Sequence, residues 1–290
     1  MFPAKIDDYV RPKTVAEALE AIARYGDDEA MFVAGGQSLM QAVKSRMVRP
    51  SCLVDLQSIA ELRGIDLGQG LTIGAMTRYV EIAECETLPR AYAALNDAAQ
   101  HVGDRQVRNR GTIGGSICWN FVASCMPAVV LGLNGTVVLA SSKGSTREVV
   151  AEDFILGPFE TAREKDEILL SISWPAPPAH CGSAYKKWGL VADAVPVIGV
   201  CVSVTLAAGD TCESARVALS GLADGAQLAP AGAVALVGTD GSDKAIAEAM
   251  AAVADSVETH SDHWADGEYR RQLIRGIGTE AAHCAFQRAR

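Results

Sequence analysis

The chain has 290 residues, of which 49% are hydrophobic and 21% charged, so it is an ordinary globular composition with room for two or three units of ~100–150 residues. A net charge of −9 offers no overall positive field for nucleic acid, and no stretch reaches the ~20 apolar residues that would span a bilayer. Eight cysteines show no C-x-x-C pair and no histidine at ligand spacing, which predicts free thiols in a reducing cytoplasm and no metal in this chain.

The segment Met1 to Tyr9 lacks the basic start, apolar run and cleavage site of a secretory signal, and none is expected. Thr14 is positioned to cap a helix in which Val15, Ala18, Leu19 and Ile22 recur at helical spacing until Gly26. A strand, Met31 to Val33, then runs into Ala34-Gly35-Gly36, and Ser38 is placed to cap a helix carrying Leu39, Met40 and Val43. With a second strand at Ser51–Leu56, residues 1–56 read as a β-α-β-like unit.

From residue 57 to 177 a second unit is expected. It has a strand at Leu71–Ala75, a helix beginning at Thr77, an alanine-rich helix from Tyr92 to Gln100, and an apolar helix around Pro127–Leu133. Strands follow at Gly135–Ala140 and Glu167–Ile172, and Glu152-Asp153-Phe154 reads as a turn or helix. The cluster Pro175-Ala176-Pro177-Pro178 marks a boundary, because proline continues neither element. Residues 178–290 then read as strands near Ala184–Trp188, Val197–Leu206 and Ala215–Leu222, followed by helices at Ala245–Val257 and from Tyr269 onward. The fold class is α+β, with two small α/β units before a C-terminal unit of sheet plus helices.

Two glycine segments, both read as loops, carry the chemistry. A glycine pair between strand and helix lets backbone N–H groups approach an anion at the positive end of a helix dipole. Ala34-Gly35-Gly36-Gln37-Ser38 has this design, and Gly111-Thr112-Ile113-Gly114-Gly115-Ser116 offers a second run of small residues with hydroxyls at 112 and 116. One segment is expected to serve each phosphate of a dinucleotide. No G-x-G-x-x-G follows a strand and no G-x-x-x-x-G-K-[ST] is present, which disfavours Rossmann and P-loop sites. The five histidines are scattered with no nucleophile motif, so no catalytic residue is assigned. Trp119 and Phe121 are candidates either for stacking on a ligand ring or for core packing.

Along its whole length the chain resembles the FAD-binding medium subunits of the molybdenum hydroxylases, the carbon monoxide dehydrogenase and xanthine dehydrogenase family. The matching segments, in family order, are Asp8–Pro12, Ala34–Leu39, Leu71–Thr77, Val107–Gly115, Gly157–Thr161 and Glu268–Leu273. The resemblance implies a flavoprotein fold of two PCMH-like FAD-binding subdomains and a C-terminal domain, with FAD as cofactor. It implies FAD contacts from Val33, Ala34, Gly35, Gly36, Gln37, Ser38 and Leu39, and from Val107, Gly111, Thr112, Ile113, Gly114, Gly115 and Ser116. Leu169 is implied to lie against the isoalloxazine ring, and Lys186 or Lys187 to approach the flavin's polar edge. The alternative for both lysines is a solvated strand edge.

The resemblance further implies a heterotrimer, paired as a dimer of heterotrimers, with a molybdopterin-binding large subunit and a 2Fe–2S small subunit. This chain would take electrons from the clusters and pass them to an external acceptor. It departs from the family pattern in three places. Gln37 stands where many relatives have histidine, and Trp188-Gly189-Leu190-Val191 replaces their arginines. Cys125 stands where they carry an acid that bonds a sugar of FAD. A thiol is a poor acceptor, so a charge-assisted hydrogen bond worth ~1.5–3 kcal/mol is missing there. These departures keep open an alternative, a flavin-poor assembly subunit of the same kind of complex.

Overall fold

In the computed structural model, which describes residues 3–25 and 29–290, the first unit is a three-stranded parallel sheet. Its elements run β1 (Asp8–Val10), α1 (Val15–Ala23), β2 (Ala30–Val33), α2 (Leu39–Lys44) and β3 (Cys52–Asp55), with strand order β1-β3-β2. Thr14 caps α1 by accepting from the Glu17 N–H at 3.2 Å, and the helix buries Ala18, Leu19 and Ala21. Gly26, the expected stop, lies outside the described residues. Ser38 precedes α2 as expected, but its side chain makes no capping bond. Strand β1 carried no apolar pattern to announce it, since Asp8 and Tyr9 are exposed.

The second unit takes its elements in the order β4 (Ile65–Asp66), β5 (Gly70–Gly74), α3 (Tyr79–Ala83), α4 (Ala93–Gln100), α5 (Arg105–Arg108), α6 (Ile113–Trp119) and α7 (Cys125–Gly132). It closes with β6 (Thr136–Ser141), β7 (Thr146–Val150), α8 (Ala151–Phe154), the small hairpin β8 (Ile155–Gly157) and β9 (Glu160–Thr161), and β10 (Glu167–Pro175). The sheet β4-β5-β10-β6-β7 is antiparallel. Three details differ from the sequence reading. Thr77 does not open α3; it is buried, with Oγ1 bonded to both the N–H and the carbonyl of Gly64, and the helix begins at Tyr79. Strand β10 continues through Pro175, which pairs opposite Gly70 at its end, so the break falls one residue later. The second glycine segment is not a loop but the first turn of α6.

The third unit is the antiparallel sheet β11 (Cys181–Trp188), β12 (Ile198–Leu206), β13 (Cys212–Ser220) and β14 (Gln227–Leu228), followed by α9 (Pro230–Leu236), α10 (Asp243–Ser256) and α11 (Gly267–Ala289). Both faces of this sheet are covered. Val200, Val202 and Val204 join a core with Ile246, Met250 and Ile274 of the helices, while the alternate residue Cys201, with Tyr185 and Ala218, packs into the core of the second unit. Period-two alternation therefore fixes α7 against one face and α10 and α11 against the other. Asp97 of α4 locks the arrangement, receiving Arg288 of α11 through two bonds of 2.6 and 2.9 Å and the Tyr185 N–H at 3.0 Å.

Candidate functional site

The two glycine segments meet. After β2 the chain turns through Gly36, whose φ of +72° is the left-handed region that a side chain disfavours. Gly35 lies directly on the other segment: a Cβ there would overlap the Arg110 carbonyl and stand 2.8 Å from the Gly111 Cα. Ala34 closes the contact from the side, its methyl 3.2 Å from where a Gly115 Cβ would sit. Residues about 75 apart in sequence thus form one wall, joined through backbone atoms and small side chains.

The segments are not equivalent as donors. In the second, the Gly114 N–H goes to Ala75 O (2.9 Å), Gly115 N–H to Thr112 Oγ1 (3.2 Å) and Ser116 N–H to Thr112 O (3.2 Å). Thr112 is the N-cap of α6, and Gly114 is required because a Cβ would press to 2.6 Å from that of Ala75. Among the described residues, no hydrogen bond takes the N–H of Gly35, Gly36, Gln37 or Ser38. Free backbone donors for an anion are therefore concentrated in the first turn, and the second segment supplies close approach.

The wall borders a cleft of about 910 Å³. Ala34 to Leu39, Val107, Gly111, Thr112, Gly114, Gly115 and Ser116 all line it. Ile113 does not; it is fully buried in the core beneath. Val33 is buried and borders instead a neighbouring cavity of about 650 Å³ behind Gly35 and Gly36. Leu169 lines the cleft from β10, where a bulge between Leu169 and Ser171 interrupts the pairing with β6 and lets Leu170 O take the Ala75 N–H. Bulges re-aim side chains in this way.

The structure also separates the two lysines. Lys187 lines the cleft, half-buried, with Nζ 2.6 Å from Ala194 O, whereas Lys186, turned to the other face of β11, does not. Burial pushes the Lys187 pKa down. Cys125 sits in the same region as the first residue of α7, 5% exposed, and burial pushes its thiol up. No carboxylate occupies that position; the cleft meets a neutral thiol and the N-terminal end of a buried helix. Trp119 and Phe121 line the cleft, and each packs on Phe159 with ring centroids 5.7 Å apart.

Several lining residues had no motif to reveal them: Arg49, Val102, Arg163 and the run Asp193 to Pro196. Arg49 is a single arginine before a proline, and Asp193–Pro196 belong to a loop of the third unit. Glu167 would put negative charge in the wall, but Arg147 binds it at 2.6 and 2.8 Å and holds its carboxyl below the usual range. The residues present fit FAD: the cleft is long enough to draw on all three units, is walled by small residues where two glycine segments converge, and offers unengaged N–H donors to a diphosphate.

Comparison with known proteins agrees with this geometry. Residues 4–177 match the family described as the FAD binding domain in molybdopterin dehydrogenase, and residues 183–285 match the CO dehydrogenase flavoprotein C-terminal domain. The chain is 32% identical to the glyceraldehyde dehydrogenase medium chain of Sulfolobus acidocaldarius, covering 97% of this chain and 98% of that one. It is also 32% identical to the carbon monoxide dehydrogenase medium chain of Hydrogenophaga pseudoflava, with 99% of each covered. Among solved structures, carbon monoxide dehydrogenase from Hydrogenophaga pseudoflava superposes with a TM-score of 0.92 at 32% identity over 99% of each chain. Quinoline 2-oxidoreductase from Pseudomonas putida 86 gives 0.90 at 29% identity, over 100% of this chain and 99% of that one.

Proposed function

Because the chain belongs to the FAD-binding medium subunits of the molybdenum hydroxylase family, with FAD as its cofactor, we propose that it is an electron-transfer subunit. In this reading it takes electrons from 2Fe–2S clusters of a partner subunit and passes them to an external acceptor. The observation that carries the proposal is the convergence of the two glycine segments on one cleft that also receives Leu169 and Lys187. When bound, FAD supplies a redox centre that exchanges electrons with both one- and two-electron partners.

The chain's own residues position that centre. Gly35, Gly36, Gln37 and Ser38 would offer N–H groups to the diphosphate, while Thr112, Gly114, Gly115 and Ser116 would let it lie close to the start of α6. Val107 and Leu39 would flank these contacts, Leu169 would form the apolar wall at the ring, and Lys187 would stand in the cleft wall with its ammonium on Ala194 O. No proton-transferring pair is needed for this role, which fits the absence of an assigned catalytic residue. We also propose the division into units 1–56, 57–177 and 178–290, a molybdopterin-binding large subunit and a 2Fe–2S small subunit as partners in a dimer of heterotrimers, and a cytoplasmic location. Among the described residues no helix is long and apolar enough to cross a membrane.

Purification of the chain in the presence of FAD tests the reading. A yellow protein absorbing near ~450 nm, a general flavin property, with one FAD per chain supports it. A folded protein that stays colourless after incubation with FAD favours the assembly-subunit alternative, for which Cys125 is the motivating feature. Co-purification of the native complex with cofactor analysis then identifies the partners.

A further inference from the structure

Residues 189–197, which join β11 to β12, form no regular structure, yet Asp193, Ala194, Val195 and Pro196 line the cleft. The segment is apolar and poorly buried: Leu190, Val191 and Val195 are 47%, 66% and 56% exposed. Its own backbone closes only a small loop, with Val197 N–H donating to Trp188 O at 2.8 Å and Ala194 N–H to Val191 O at 3.0 Å. Two cations hold it from outside. Arg270 of α11 donates to Val197 O at its base, and Lys187 donates to Ala194 O nearer its tip, at 2.6 Å.

We propose that Lys187 is a positioning residue that latches the 189–197 segment against the wall of the FAD cleft, its ammonium engaged by the Ala194 carbonyl rather than by the cofactor. The inference rests on FAD occupying that cleft. The bond suits a latch for two reasons. The Ala194 carbonyl lies in a segment outside the strands, and the ammonium that reaches it is carried on β11. Desolvation of the half-buried lysine also makes the loss of its acceptor costly. With the latch closed, Val195 and Pro196 stay on the cleft; with it open, a segment carrying three exposed apolar side chains has only its two ends fixed.

The test uses the purified full-length chain, first without FAD. Hydrogen exchange and thermolysin cleavage within 189–197 are compared in the wild type, Lys187→Met and Lys187→Arg, after circular dichroism has shown that each is folded. Loss of one charge-assisted bond at a partly exposed site shifts local opening by roughly tenfold. Lys187→Met should therefore exchange and be cut about tenfold faster in this segment, with β6 and β7 unchanged, and Lys187→Arg should stay near the wild type. Should Lys187→Met not fold, Lys187→Gln, a neutral donor, is read in its place. Unchanged opening in the neutral variant overturns the latch. FAD release from loaded proteins is then timed: faster release in Lys187→Met alone supports the segment's place at the cleft, and equal release despite a loosened segment refutes it. Wild-type protein that takes up no FAD would sink the functional reading, leaving the exchange data to judge the latch by itself.

Discussion

Gly35→Ala should uncouple the two glycine segments while leaving the rest of the fold in place. The new methyl would overlap the Arg110 carbonyl oxygen and stand 2.7 Å from its carbon and 2.8 Å from the Gly111 Cα. All three are backbone atoms, and they are tied down: Gly111 N–H donates to Val107 O at 2.7 Å, and Gly111 O accepts from Tyr79 N–H at 3.0 Å. None can swing aside as a flexible side chain would. Restoring ordinary contacts of ~3.5 Å requires the segments to part by roughly 1 Å. Overpacking of this kind costs ~1–3 kcal/mol, or about 2–4 °C in Tm per kcal/mol for a domain of this size. The cofactor should lose more. Displacing the first turn misaligns N–H donors worth ~1.5–3 kcal/mol each to a charged acceptor, so FAD affinity should fall at least about tenfold and by more than about a hundredfold if two are lost. Thermal melts with and without FAD read this directly, because ligand at 100 times Kd adds ~2.7 kcal/mol to stability. The wild type should show a clear upshift; Gly35→Ala should keep about half of it after a tenfold loss and little after a hundredfold one. Gly36→Ala is the control: its φ of +72° makes a side chain costly by ~1–2 kcal/mol, but its methyl meets only the flexible Met40 side chain at 3.2 Å, so part of the upshift should survive. A folded Gly35→Ala protein with the full FAD upshift would refute the idea that the junction builds the site.

Asp97→Ala removes the acceptor shared by Arg288 and the Tyr185 N–H; the Arg288 and Asp97 side chains are 28% and 16% exposed, so the loss should be ~1–3 kcal/mol in urea unfolding, with Asp97→Asn milder. Arg147 holds the Glu167 carboxyl below its ordinary pKa of 4.5, so the stability it contributes is complete above that value and is lost as pH falls through the lower, folded one. Acid titration of Tm should show this fall, and it should flatten in Arg147→Ala; an unaltered profile would dismiss the pair as a source of acid sensitivity. Cys125→Asp restores an acceptor at the start of α7 and should tighten FAD binding about tenfold if the missing bond limits affinity; equilibrium dialysis showing equal or weaker binding would show that it does not. Arg216→Ala should destabilise the chain by ~1–2 kcal/mol, since Arg216 bonds Leu131 O at 3.1 and 3.2 Å at the end of α7.

What could be read in the sequence divides along a physical line. Elements with a strong apolar signal were legible: Thr14 and the apolar spacing after it gave α1, and the apolar stretch around Pro127–Leu133 gave the wholly buried α7 to within two residues. Elements made by tertiary contact were not. The three-residue β1 exists because it pairs with β3, and its own side chains are largely exposed. Thr112 to Ser116 read as a loop because glycine disfavours helix; the Thr112 cap and the close packing of Gly114 on Ala75 override that preference. The candidate site behaves likewise. Its glycine segments announce themselves, but nothing local says that Gly35 touches Arg110, or that of two adjacent lysines only the second reaches the cleft. That distinction comes from strand phase, which is set once β11 pairs with β12 with Lys187 opposite Gly199.

The third unit has no glycine motif, yet the cleft depends on it through α7. This helix is fully buried; its own unit serves the carbonyls of Val129, Val130 and Leu131 through the N–H groups of Leu133, Gly135 and Asn134, and the third unit adds partners at the same end. At the C-terminal end, Ser203 Oγ donates to Gly132 O at 2.7 Å and Arg216 donates to Leu131 O, which satisfies two terminal carbonyls and sets a cation at the negative end of the dipole. Gly132 has to be glycine for this docking, because a Cβ would stand 3.0 Å from that of Cys201 and closer still to its sulfur. With its C-terminus held by β12 and β13, the helix has one orientation left, and its N-terminus opens beside Ala123, Ser124 and Cys125 on the cleft. The same sheet carries Lys187 and the 189–197 segment to the cleft. A disturbance at the Arg216 end of α7 should therefore be felt at FAD, about six residues and roughly 9 Å away along the helix. Weaker FAD binding in Arg216→Ala, beyond what its loss of stability explains, is the expected sign of that coupling; unchanged binding in the folded variant would show that the cleft is set by the glycine wall alone.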